Sequence, residues 1–135
     1  MGRREDLLTA CMQDRIHPRF YDCFPLETED PRGEPKLISF GEWITGEKAA
    51  LRIERFGLKL GYRSEGVFGG LKFIAGHPYA QHDGPIALLG ARGWFAGGVW
   101  VLYFYVHDGE RHLDVECVGR PFPPNTRFLV FHEQK

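Results

Sequence analysis

The chain is constrained most tightly by one dipeptide, Asp108-Gly109, set between the nine-residue runs VWVLYFYVH and ERHLDVECV. Asp-Gly is a preferred pair for the two-residue type I′ turn, whose twist matches that of the strands it joins. Such a turn sets the register: His107 opposes Glu110, Val106 opposes Arg111, Tyr105 opposes His112, Tyr103 opposes Asp114 and Val101 opposes Glu116. Side chains alternate along a strand, so Trp100, Leu102, Phe104, Val106, Leu113, Val115 and Cys117 fall on one apolar face, with Arg111 beside the turn. That face predicts core. The other face gathers Tyr103, Tyr105, His107, Glu110, His112, Asp114 and Glu116.

The second face carries the candidate chemistry. His112 has the residue type of a general base and Asp114 that of its orienting carboxylate, with Tyr103 or Tyr105 to donate a hydrogen bond to an oxyanion. Glu116 and His107 extend the same surface as ligand contacts. Ligands of a facial two-His, one-carboxylate metal site are also present if His107 or the distant His132 joins His112 and Asp114. A plain solvated sheet face accounts for the same alternation, and all these readings stay open. No spacing specifies a metal or a cofactor, so none is expected.

Other segments carry weaker signals. His77, His82 and Asp83 share HPYAQHDGP, whose turn formers predict a loop of about ten residues that turn chemistry alone explains. The glycines of GARGWFAGG match no phosphate-binding spacing and predict a bulge or bend between Trp94 and Val99. Trp94 is a candidate contact at a partner surface, because aromatics anchor interfaces. Arg52, Arg55, Lys59 and Arg63 read as a solvated basic face. Gly41 and Trp43 in FGEWI resemble the G-x-W element of lipocalin-like barrels over two residues. That resemblance implies no ligand class here, and Trp43 is otherwise expected as a core or cleft aromatic.

Around the hairpin, residues 3–16 place Leu8, Met12 and Ile16 at helical spacing, predicting an amphipathic helix that Pro18 ends. Thr45 predicts a helix cap, with helix to about Phe56 and strand afterwards. Residues 67–74, 86–89, 94–107, 112–118 and 127–132 read as strands between Gly and Pro clusters. The stretch 27–36, with four acidic residues and two prolines, reads as a mobile acidic loop. The expected fold is α+β: an N-terminal helix, with a possible second short one, on a curved, mostly antiparallel sheet or partial barrel.

At 135 residues the chain fits one domain, 1–135. A net charge of -1 argues against nucleic acid, and no apolar run is long enough to span a membrane. Three cysteines without metal or disulfide spacing, and a charged N-terminus unlike a signal peptide, point to the cytoplasm. The expected function is a non-catalytic binding or interaction domain engaging a protein partner, or an inhibitor. The alternative is a small-ligand-binding protein or small enzyme with its pocket on the polar face of the 99–118 hairpin.

Overall fold

A computed structural model of the chain describes residues 3–25 and 33–133. In chain order the elements are α1 (Arg3–Ala10), β1 (Arg15–Ile16), α2 (Arg19–Cys23), β2 (Gly33–Ile38), β3 (Ile44–Thr45), α3 (Gly46–Leu60), β4 (Tyr62–Ser64) and α4 (Val67–Gly76). A 3-10 turn (Ala80–Asp83), β5 (Ile86–Phe95), β6 (Gly98–His107), β7 (Glu110–Cys117), β8 (Pro121–Phe122) and β9 (Arg127–Glu133) follow. The main sheet runs β1-β7-β6-β5-β9-β2, with β4 also paired to β9, and β3 and β8 form a separate pair. Among the described residues only β1–β7 and β5–β9 pair parallel. The sheet is therefore mostly antiparallel, and it is open rather than closed into a barrel.

The hairpin adopts the expected register from Trp100 opposite Cys117 to His107 opposite Glu110. Asp108 and Gly109 have φ of 50° and 77°, the double positive φ that a type I′ turn requires. Alternation then divides the sheet between two cores. Leu88, Leu102, Phe104 and Leu113 pack with Leu71 and Ile74 of α4, Cys11 after α1, and Phe20 of α2. Ala87, Leu89, Val101, Phe128 and Val130 pack on the other side with Ala49 and Ile53 of α3 and Phe122 of β8. Both faces of the sheet are thus covered over much of their length.

Several elements depart from the sequence reading. The run 67–74, expected as a strand, is the helix α4, with Val67, Phe68, Gly69, Gly70, Leu71 and Ile74 all buried. A segment buried on nearly every side shows neither helical nor strand periodicity, so its hydrophobicity does not discriminate. Its glycines serve packing: a Cβ at Gly70 would lie 2.1 Å from Leu88 Cδ1. In the same way α1 stops at Ala10 and Met12 turns out at φ 52°, where the expected helix ran to residue 16. The following residues instead add to the edge of β7, with Asp14 N donating to Arg111 O and His17 N to Leu113 O, both at 2.8 Å. Pairing that edge satisfies backbone groups that a longer helix would leave to water.

Thr45 caps α3 as expected, its Oγ1 accepting from Lys48 N at 3.2 Å. The helix continues to Leu60 rather than Phe56, and Gly61 ends it in the left-handed region. The strand expected directly after Phe56 begins only at Tyr62, because a glycine stop determines where the helix ends. Trp94–His107 is likewise two strands, β5 and β6, with a tight turn at Ala96–Gly97. The irregularity in β5 lies earlier, between Leu88 and Arg92, where Gly90 N donates to Glu65 O at 3.0 Å. A Cβ at Gly90 would sit 2.6 Å from that oxygen, so the close approach needs glycine.

The expected acidic loop at 27–36 divides. Residues 27–32 lie outside the described residues, whereas 33–36 belong to β2, paired antiparallel with β9. Proline is tolerated there because β2 is an edge strand, where Pro35 need not donate to a further neighbour. Trp43, expected in a core or cleft, is 65% exposed. Among the described residues, no helix is long and apolar enough to cross a membrane.

Candidate functional site

The polar face of the hairpin lies on the same side of the sheet as β8. Tyr103 packs on Phe122 at 5.3 Å between ring centroids, and beyond it the face opens. Tyr105 tilts against Tyr103 at 5.3 Å and stacks on His112 at 4.7 Å with an interplanar angle of 10°. These contacts follow directly from the register, because Tyr105 and His112 are cross-strand partners and Tyr103 is the same-face neighbour of Tyr105. His107 meets the edge of His112 at 6.3 Å and stands exposed at the hairpin tip, beside Asp108.

Hydrogen bonds decide what these groups can do. Asp114 Oδ2 accepts from the Tyr105 hydroxyl at 3.0 Å and Oδ1 from Val115 N at 2.8 Å. The carboxylate therefore holds a phenol and its own strand, not the imidazole of His112. His112 Nε2 is buried with no hydrogen-bond partner among the described residues. Glu116 Oε2 accepts from Cys117 N at 2.9 Å.

Burial, the hydrogen bond to Asp114 and that group's charge push the Tyr105 phenol up to about 12. The Tyr103 phenol is also raised, first by burial and then by the charge of Glu116, with Thr126 opposing and Asp114 adding to it. Both phenols remain protonated at neutral pH. Tyr105 would have to leave Asp114 before it could donate to a reacting oxygen.

A cleft of about 320 Å³ opens beside this pair, with Tyr103 and Tyr105 on one wall and His82, Asp83 and Gly84 on the other, and Asn125 also in its lining. Its far wall is the HDG part of the 77–85 segment, which the sequence alone could not attach to the hairpin. Two anchors hold that wall. Arg127, at the start of β9, donates from Nη2 to the carbonyls of Ala80 and Gly84. Its guanidinium is pulled down by burial and supported by Asp83. Gln81, only 1% exposed, donates to Tyr105 O at 2.9 Å and exchanges hydrogen bonds with Gln13. Arg111 donates to the same glutamine oxygen at 3.2 Å.

Among the sequence candidates, the structure brings Tyr103, Tyr105, His107, His112, Asp114 and Glu116 onto one surface. Trp94 stands apart. It pairs with Val99, six residues along β6 from Tyr105, or about 20 Å at strand spacing. His77 also turns elsewhere, stacking on Phe73 at 4.1 Å. His132 sits on β9 against Tyr62 at 5.0 Å, three strands from β7. Among the described residues no group of three His, Cys, Asp or Glu side chains could hold a metal ion.

Gln81, Asn125 and Arg127 were not singled out from sequence. Each is an ordinary polar residue near a turn, and only long-range contacts give it a place in the site. Comparison with protein-family models, curated proteins and solved structures finds no match. A functional reading rests on the geometry alone.

Proposed function

We propose that this protein is a non-catalytic binding domain that engages a protein partner through the polar face of the β6–β7 hairpin, in a cytoplasmic setting. The observation that carries this reading is the engagement of Asp114, whose two oxygens are taken by Tyr105 and Val115. The acid–base arrangement considered for this face has Asp114 orienting His112, and Asp114 holds Tyr105 instead. An open cleft, with exposed His82 and His107 beside half-buried tyrosines, suits a contact surface better than a sequestered reaction. Tyrosine and histidine present flat, amphipathic area with few rotors to immobilise.

The test is comparative capture. Immobilised wild-type protein and a Tyr105→Ser, His82→Ala double variant are exposed to extract from the source cells and the retained proteins quantified. The expected result is a stoichiometric partner retained by the wild type and lost by a variant that melts normally. Equal retention by both proteins would remove this face from the interaction.

A small-ligand reading of the same face has one specific observation in its favour. His112 Nε2 is buried without a partner among the described residues, and such an atom is satisfied when a ligand or water reaches it. Thermal-shift screening of small polar molecules against the wild type and His112→Gln tests it: a stabilising compound whose effect vanishes in the variant would favour this alternative.

A further inference from the structure

The binding reading leaves the chemistry of the partner open, and the charge around the cleft narrows it. Asp83 stands on the loop wall, and Asp114 and Glu116 lie on β7 behind the tyrosine wall, both acting on the phenol of Tyr103. Glu110 and Asp108 continue the acidic character toward the hairpin tip. The cations nearby are only partly engaged: Arg111 donates to Gln81 of the cleft lining, and Arg127 keeps its Nε without a partner among the described residues. Arg127 is held beneath the loop by the carbonyls of Ala80 and Gly84, where it offsets part of Asp83. Arg15 approaches Glu110 at 3.5 Å. Among the described residues no cation lies within ion-pair distance of Asp114 or Glu116.

The wall itself consists of two aromatic rings, 5.3 Å apart and tilted by 38°. Tyrosine faces attract cations, and carboxylates behind them add to that attraction. At about 320 Å³ the cleft is at the low end of ordinary ligand sites, which run from roughly 300 to 1,000 Å³. It admits one long side chain rather than a folded element. An anionic group would meet Asp83 on the loop wall and the charges of Glu116 and Asp114 behind Tyr103.

Resting on the partner-face reading above, we propose that the cleft receives a lysine or arginine side chain from a basic segment of the partner protein, seated between Tyr103/Tyr105 and Asp83. The tyrosine rings take the cation and the apolar stem of the side chain, and Asp83 and Glu116 select its charge.

The experiment titrates the full-length, isotopically labelled protein with hexalysine, hexaarginine and hexaglutamate peptides and with spermidine, following backbone resonances at low and high salt. Wild type is compared with Asp83→Asn, Glu116→Gln, whose melting temperature checks that the fold is intact. The expected result is that the basic peptides shift residues 82–84 and 103–105, that the affinity falls about ten-fold in the double variant and falls further with salt, and that hexaglutamate shifts nothing. No shift with basic peptides, or the same affinity in the double variant, would overturn the inference. Spermidine binding as tightly as the peptides would also overturn it, by making this a free-amine site.

The capture experiment separates this failure from that of the parent reading. If Tyr105→Ser, His82→Ala loses the partner while Asp83→Asn, Glu116→Gln retains it, the face stands as the partner surface and the cationic occupant falls. If neither variant loses the partner, the partner-face reading fails and the inference falls with it.

Discussion

The two faces of the β6–β7 hairpin share one backbone and one turn, yet they use it in opposite ways. On one face Leu102, Phe104 and Leu113 are at most 1% exposed and pack against α4 and the residues after α1. On the other, Val101 and Tyr103 join the second core, and toward the turn Tyr105, His112 and Asp114 are half-buried and joined by ring contacts and hydrogen bonds. Burial holds a proton on each face. The Cys11 thiol, donating to Leu71 O, is pushed up to about 12 by burial. Tyr105 reaches a similar value by burial together with its bond to Asp114. The difference teaches that the packed face holds the molecule together, while the polar face is ordered by local pairs that leave its outer side available.

The comparison breaks most visibly at Leu113. Leu113→Asp puts a charge into apolar surroundings and should cost about 4 kcal/mol or more, read as a collapse of the denaturation midpoint. A variant that melts like the wild type would show that this face is not the structural one. Next in size is Gln81→Ala, which removes the node joining the loop wall, Gln13, Arg111 and the backbone of Tyr105. Leaving those buried partners unsatisfied should cost about 2–3 kcal/mol. A cost below about 0.5 kcal/mol, typical of surface changes, would mean that the loop is not anchored through this side chain.

Tyr105→Phe sharpens the comparison on the polar side. Loss of the hydrogen bond to Asp114 should cost about 1 kcal/mol at neutral pH. Its pH dependence has a definite sign. The folded-state phenol lies at about 12, above its ordinary 10.0, so its contribution is fully present below pH 10 and is lost as the pH rises through 12. The wild type should therefore lose stability relative to Tyr105→Phe across that interval, measured as the difference between their denaturation midpoints. A constant difference would show that the phenol is not held by Asp114. The smallest effect is expected at Trp43, 65% exposed, where Trp43→Ser should change stability by no more than about 0.5 kcal/mol. A loss of several kcal/mol there would reveal a packing role that its exposure denies.

Legibility in the sequence followed the range of the forces involved. The register from Tyr103–Asp114 to His107–Glu110 could be read because Asp108-Gly109 and strict alternation act between near neighbours. The contacts of Tyr105 with His112 and of Tyr103 with Tyr105 came with it. The helix α4 could not be read the same way, since a segment buried from Val67 to Leu71 carries no polar stripe to reveal its period. Residues 15–16 escaped for a related reason: Ile16 suits a helical face as well as an edge strand, and only the unpaired edge of β7 selects between them. At the site, His112 and Asp114 were correctly placed on one face, but their assumed partnership depended on side-chain rotamers, which turned Asp114 to Tyr105.

The sequence by itself determined the hairpin, its two faces and the capped start of α3, because turn chemistry, alternation and capping are settled among residues close along the chain. Only the tertiary structure decided that Asp83 and His82 face Tyr103 and Tyr105, that Arg127 and Gln81 hold them there, and that Trp94 stands elsewhere. Those placements are fixed by hydrogen bonds and packing between segments some 20 to 70 residues apart, such as Gln81 with Tyr105 and with Gln13. No local pattern records such pairings, since each partner is an ordinary polar residue until the fold brings the other one to it.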